Sequence, residues 1–321
     1  QPVRRGSVRS AVWREVSALV CSVISDEPTR TEWPSAVSAL TRFTGCMDFG
    51  PIVSPEWLAE HLSDENQVIV DLRWSVTDGP GREAYDAGHI PGAVFADLDA
   101  DLSGVSSDSA GRHPLPSPLA FGDSMTRLGI GDRTRVVVYD DAGGLIAARL
   151  WWMLDAVKRE VAVLDGGIQA WTGKLSKVKP KETDASFTPR PWPSGVRVSP
   201  DEVAMATEGD GVLIDGRSAE RYADGSAMDP RPGHIPGAKS VPASGNLEDG
   251  NWKSPRALRE IYEEADADGE NVIAYCGSGV TACADLLGRR LAGLPDGRLY
   301  PGSWSQWGAD EDRPAKKGAK P

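Results

Sequence analysis

The residues with the clearest chemistry are Cys276-Gly277-Ser278-Gly279-Val280-Thr281-Ala282. They follow a short apolar run, Asn271 to Tyr275, that reads as a strand. Beyond them, Thr281 to Leu291 reads as a helix, with Ala282, Leu286, Leu287 and Leu291 near helical spacing. Strand, tight loop and helix together make an anion cradle. Gly277 and Gly279 let backbone amides turn inward without a Cβ clash. A ring of N–H groups backed by a helix N-terminus favours negative charge. A thiol at the mouth of that ring is expected to ionise more readily than a free cysteine and to act as a nucleophile near neutral pH. The competing reading is a packing cysteine at a strand end, since free cysteine is often buried. Packing alone does not require the two glycines. Neither Cys276 nor Cys283 has the paired Cys or His of a zinc site, so no metal is expected.

The elements that must position this loop occur twice. Val53-Ser54-Pro55 matches Val198-Ser199-Pro200, 145 residues on, and Asp71-Leu72-Arg73 matches Asp215-Gly216-Arg217, 144 on. Gly88-His89-Ile90-Pro91-Gly92-Ala93 matches Gly233-His234-Ile235-Pro236-Gly237-Ala238, again 145 on. Val137-Val138-Tyr139-Asp140 matches Ile273-Ala274-Tyr275-Cys276, and Gly166 with Trp171 matches Gly302 with Trp307, both 136 on. Five landmarks in one order argue two tandem copies of one globular domain. In each copy Ser54 or Ser199 is placed to cap a helix that begins with proline. Short buried strands then alternate with helices, which predicts an α/β fold around a mostly parallel sheet. The expected organisation is a first domain over 50–171, an extended linker over 172–196, a second domain over 197–312 and a disordered basic tail over 313–321. Residues 1–46 lack a partner in the repeat. They are expected to be a disordered or non-native extension, with Met47 standing just before the first domain signal.

Length and composition agree with two soluble domains. The chain has 321 residues, 40% hydrophobic and 26% charged, enough for two cores. Residues 1–46 hold six arginines and four acids, about +2, so the net charge of −12 leaves about −14 on the remainder. That charge argues against nucleic acid and anionic membrane as partners. It also means that an anionic substrate needs a local basic patch. No apolar run approaches the ~20 residues of a membrane span. Four cysteines without framework spacing fit a reducing, cytoplasmic setting.

The loop at 276–282 resembles the active-site loop of the rhodanese superfamily, and within it that of the 3-mercaptopyruvate sulfurtransferases. Thiosulfate sulfurtransferases usually carry Arg-Lys where this chain has Gly277-Ser278. The resemblance covers about 50–310. It implies two tandem rhodanese-like domains and a persulfide enzyme without metal or organic cofactor. Cys276 would accept a sulfane sulfur and pass it to cyanide, a thiol or thioredoxin. The amides of Gly277, Ser278, Gly279, Val280 and Thr281 would hold the anionic intermediate. Arg221 and Arg231 resemble the family's two substrate-binding arginines. The family also suggests a relay of Asp78, His89 and Ser278. His89 has a loop-fixing reading as well, which is the one preferred for His234, and Asp78-Gly79-Pro80-Gly81 reads equally as a turn. Arg73 and Arg217, after the strand-end aspartates, are expected in structural ion pairs. The first copy has Asp140 where the second has Cys276. A carboxylate cannot carry sulfane sulfur, so the first domain is expected to be inactive and to wall one side of a cleft.

Three alternatives stand beside this reading. A cysteine phosphatase would use the same cradle, but it needs an arginine where this chain has Ala282 or Cys283. Thiosulfate could be the donor. A non-catalytic sulfur-relay or regulatory binding module is the remaining option, and the presence of Cys276 speaks against it.

Overall fold

The computed structural model describes residues 49–181 and 183–321. The extension expected over 1–46 lies outside the described residues. The first sheet contains β1 (Ile52–Val53), β2 (Gln67–Asp71), β3 (Val94–Phe95), β4 (Arg135–Tyr139) and β5 (Val161–Leu164), in the spatial order β1-β5-β4-β2-β3. The second contains β6 (Val212–Asp215), β7 (Lys239–Ser240), β8 (Val272–Tyr275) and β9 (Arg298–Leu299), in the order β9-β8-β6-β7. All pairings in both are parallel, with Asp71 opposite Tyr139 and Asp215 opposite Tyr275. The sequence repeat is therefore a repeat of register. Central strands such as Val136 to Tyr139 and Val272 to Tyr275 are buried on both faces, which is why they read as unbroken apolar runs.

Local signals explain the helix starts. Ser54 Oγ accepts the Trp57 amide at 3.2 Å. Ser199 Oγ accepts the Glu202 amide at 3.2 Å while Glu202 accepts the Ser199 amide at 2.7 Å, a reciprocal cap of the kind worth ~1 kcal/mol. The strand-end aspartates pair with the arginines two residues on, Arg73 with Asp71 and Arg217 with Asp215, both at 2.7 Å. These arginines also donate to the carbonyls of Gly88 and Gly233, so each pair pins the Gly-His-Ile-Pro-Gly-Ala loop to the sheet.

One apolar cluster spans the two domains, beside a separate cluster within each domain. Leu102 and Leu150 of the first belong to the same cluster as Val280 and Leu287 of the second. Helices Ala147–Ala156 and Ala282–Leu291 pack against each other, and Arg290 bridges to Asp155 at 3.1 Å. The segment 172–196 is strapped onto the first domain: Phe187 is buried, and Ser176 exchanges backbone hydrogen bonds with His89. The tail corrects the expectation of disorder. Lys316 exchanges the equivalent backbone bonds with His234, Trp307 Nε1 donates to the Pro314 carbonyl, and Arg313 pairs with Asp201 at 2.6 Å. Both copies thus close on a strap over their histidine. Among the described residues no helix is long and apolar enough to cross a membrane.

Candidate active site

Strand β8 delivers Cys276 to the C-terminal edge of the second sheet, and helix Ala282–Leu291 begins six residues later. Cys276 is 2% exposed. Its Sγ accepts the Gly279 amide at 3.1 Å. Gly279 sits at φ +77°, and a Cβ there would lie 2.3 Å from the Pro301 carbonyl oxygen; only glycine fits. The loop is braced from behind, where Trp304 N–H donates to the Cys276 carbonyl at 3.0 Å and Ser305 N–H to that of Gly277 at 2.9 Å. Val280 is buried and Thr281 half-buried at the helix start.

The residue that reaches Ser278 is His113, from the first domain. His113 Nδ1 lies 2.8 Å from Ser278 Oγ, and its Nε2 lies 3.0 Å from Asp99 Oδ1. Trp74 Nε1 donates to Asp99 Oδ2 at 3.1 Å, and its ring meets His113 edge-on at 5.3 Å. Burial pushes the His113 imidazole down to about 4, against the pull of Asp99 and with the push of Arg112 and Arg149. A neutral ring donating Nε2–H to Asp99 has an Nδ1 lone pair for the Ser278 hydroxyl, the arrangement of a general base.

This corrects the relay expected from sequence. His89 is buried and stacked on Tyr85 at 4.0 Å, with Nδ1 2.9 Å from the Tyr85 carbonyl and Nε2 3.1 Å from that of Val178. His234 does the same work in the second copy, stacked on Tyr222 at 3.7 Å. Both fix their loops. Asp78 is exposed in the turn of the hairpin Trp74 to Pro80. Its carboxylate accepts from Ser75 and Thr77, and these hydroxyls lower its pKa. A usable signal was the asymmetry of the repeat. A histidine present in both copies serves what both share, whereas Asp99 faces Ser244 at the 145-residue offset and His113 faces Gly250 at the 137-residue offset that relates Ser117 to Ser254.

Two guanidinium groups converge on Gly277. A Cβ on Gly277 would lie 2.9 Å from Arg221 Nη2 and 3.3 Å from Arg112 Nη2. Arg221 is held by Asp229, at 2.5 Å and 3.2 Å. Burial would raise the Asp229 carboxyl, but Arg221, Ser226 and Arg217 hold it below the ordinary carboxylate range. Arg112 donates to the Met228 carbonyl at 3.1 Å and makes no ion pair among the described residues. Burial and the neighbouring Arg221 charge lower its pKa. Arg231 is not brought to the site. It donates to the carbonyls of Asp310 and Arg313 and lies over the Trp304 ring at 5.9 Å, where it holds the tail.

Arg149, also absent from the sequence reading, lies fully buried between the domains. It donates to the carbonyls of Gly279, Leu102 and His113 at 3.0, 3.3 and 3.0 Å, and so sets the cysteine loop and the histidine at a fixed separation. Cys283 lies behind the loop with its thiol pushed up to about 12 by burial. Among the described residues no cluster of His, Cys, Asp or Glu is placed to hold a metal ion.

The first copy shows what such a cradle binds. Asp140, at the Cys276 position, accepts N–H groups from Ala142, Gly144, Ile146 and Ala147 at 2.7–2.8 Å. Burial raises this carboxyl while the four donors oppose the shift. Asp140→Ala should lower stability by about 2–4 kcal/mol, because it orphans buried donors. It should leave kcat within about threefold, less than 1 kcal/mol of barrier. Thermal melting and turnover of the one variant check both halves.

A model of the rhodanese-like domain matches residues 54–174 and again 199–310. The chain belongs to the rhodanese family. A Pseudomonas aeruginosa relative named for 3-mercaptopyruvate sulfur transfer is 36% identical over 287 residues, covering 85% of this chain and 100% of its own length. A Mycobacterium tuberculosis relative named for thiosulfate sulfur transfer is 37% identical over 259 residues, covering 78% and 90%. The crystal structure of SseA from Escherichia coli, described as a 3-mercaptopyruvate enzyme of rhodanese fold, superposes with a TM-score of 0.70 at 32% identity over 79% of this chain and 98% of its own. Both rhodanese-like domains are thus present.

Proposed function

We propose that this two-domain sulfurtransferase takes sulfur from 3-mercaptopyruvate onto Cys276 and passes it to a thiophilic acceptor such as cyanide or a protein thiol of the thioredoxin kind. The observation that carries the reading is the Asp99–His113–Ser278 chain beside Cys276, under two converging arginines. Asp215 pairs with Arg217, and Asp229 with Arg217 and Arg221, so of Arg112, Arg217 and Arg221 it is Arg112 that has no ion pair among the described residues. A substrate carboxylate seated on Arg112 and Arg221 would bring its thiol to Cys276. The thiolate of Cys276 attacks the substrate sulfur, and the carbon–sulfur bond breaks with its electron pair going to the methylene carbon. The thiol proton, taken through Ser278 by His113, returns to that carbon and yields pyruvate. On this reading the Gly279 amide, which reaches Cys276 Sγ at 3.1 Å, and its neighbours in 277–281 hold the anionic persulfide. The acceptor then attacks the outer sulfur, and breaking the sulfur–sulfur bond restores the Cys276 thiolate in a ping-pong cycle. A cytoplasmic setting suits that cycle, since its acceptors are reduced thiols.

Thiosulfate is the second reading, favoured by the same arginine pair, which would also hold a dianion. Against it, Gly277-Ser278 adds no cation to the loop, and a donor without a thiol proton has no use for the relay. Turnover with cyanide as acceptor, comparing the two donors, decides between them; a wild-type preference for thiosulfate would overturn the proposal. A charge-assisted contact of this kind contributes ~1.5–3 kcal/mol. Arg221→Gln and Arg112→Gln should therefore each raise the 3-mercaptopyruvate KM about ten- to a hundredfold with kcat less affected. Unchanged KM in both variants would remove the carboxylate from this position.

A further inference from the structure

Ser303 occupies a strained backbone conformation, and the comparison between the two copies supplies the reason. Its φ is +51°, in the left-handed region that a residue with a side chain rarely enters. Ser303 is fully buried. Its counterpart in the first copy, 136 residues earlier, is Gly167, at φ +61°. There a Cβ would lie 2.6 Å from the Asp140 carbonyl oxygen. The backbone bond that follows is the same in both, Ile168 N–H to the Asp140 carbonyl at 2.9 Å and Trp304 N–H to the Cys276 carbonyl at 3.0 Å. The left-handed φ at this position and the bond that follows it recur in both copies, although the preceding residue differs, Gly166 at φ +72° and Gly302 at φ −65°; the second copy has placed a side chain where glycine would be relaxed.

That side chain makes two hydrogen bonds. Ser303 Oγ donates to the Tyr300 carbonyl at 2.9 Å, which turns its lone pairs toward the Cys276 amide, accepted at 3.1 Å. Cys276 is thus held at its N–H by Ser303 and at its carbonyl by Trp304. Asp140 needs no such hold, because its own carboxylate is tied by four amides. A residue that must keep its side chain free for chemistry cannot anchor itself that way. We infer that Ser303 is a positioning residue for the nucleophile: its hydroxyl fixes the Cys276 backbone so that Sγ stays aimed into the cradle. This inference rests on Cys276 being the reacting group.

Two variants test it. Ser303→Gly relieves the left-handed strain and is accommodated, as Gly167 demonstrates, but lacks the hydroxyl. Ser303→Ala lacks the hydroxyl and keeps the strain. Both should lose kcat by about tenfold or more through misplacement of the nucleophile, with KM within about threefold. Their stabilities should differ, because both orphan the buried Cys276 amide and only Ser303→Ala keeps the strain, so Ser303→Gly should melt above Ser303→Ala. Alkylation of Cys276 by iodoacetamide, followed on the Cys276 peptide by mass spectrometry, reads the nucleophile without any sulfur donor. It should be slower in both variants. If Ser303→Gly keeps wild-type kcat and a wild-type alkylation rate, the inference is overturned. If the wild type transfers no sulfur but the variants still alkylate slowly, the sulfur-transfer reading fails and the positioning role stands.

Discussion

Cys276→Ser should abolish sulfur transfer, lowering kcat by ~10⁴ or more as removal of a nucleophile does, while the melting temperature stays within ~3 °C of the wild type. The hydroxyl can take over the Gly279 amide bond now made to Sγ and fills nearly the same space. Only the capacity to hold a second sulfur is lost. The first domain offers no substitute, because its cradle holds a carboxylate already bound to four amides. The measurement is turnover with 3-mercaptopyruvate and cyanide beside a melting curve. A folded variant with substantial residual turnover would mean that sulfur does not pass through Cys276.

The second large effect is expected at His113. His113→Gln keeps a polar side chain near Ser278 but has no titratable nitrogen, so kcat should fall by ~10²–10⁴, the range for loss of a general base. The pH dependence separates this role from packing. His113 must be neutral to accept the Ser278 proton, and burial pushes its pKa down to about 4. Wild-type activity should therefore hold as pH falls through 6.5, where a free histidine would titrate, and decline only near 4. The variant's residual activity should lack that limb. An acid limb near 6.5 in the wild type, or the same limb in His113→Gln, would assign the titration to another group.

What the sequence made legible was what is local or repeated. The cysteine loop is contiguous, and its glycines state their geometry through the φ they permit. The duplication pointed to two like α/β domains with mostly parallel sheets, and the structure has Asp71, Tyr139 and their counterparts at matching register. The partners of Ser278 were not legible in that way. His113 and Arg112 lie 165 residues from the loop, and they are brought near by tertiary contacts: the packing of helix Ala147–Ala156 on helix Ala282–Leu291, the Arg149 bonds to the Gly279 and His113 carbonyls, and the Arg112 amide bond to Ser305 Oγ. The resemblance also misled: it pointed to a first-domain histidine, His89, and the recurrence of that histidine in both copies is what marks it as scaffold. The strap at 313–321 looked free because its basic residues gave no hint that the Lys316 backbone pairs with His234 or that Arg313 meets Asp201.

The site's division between the copies has an evolutionary consequence. On the proposed mechanism the nucleophile, its cradle and Arg221 come from one copy, and the histidine, its aspartate and Arg112 from the other, so neither copy alone holds the whole site. A single copy separated by recombination would carry either a nucleophile without its base or a base without its nucleophile. The heritable unit of this chemistry is the pair, and selection can act on the interface between the copies as strictly as on the cysteine itself.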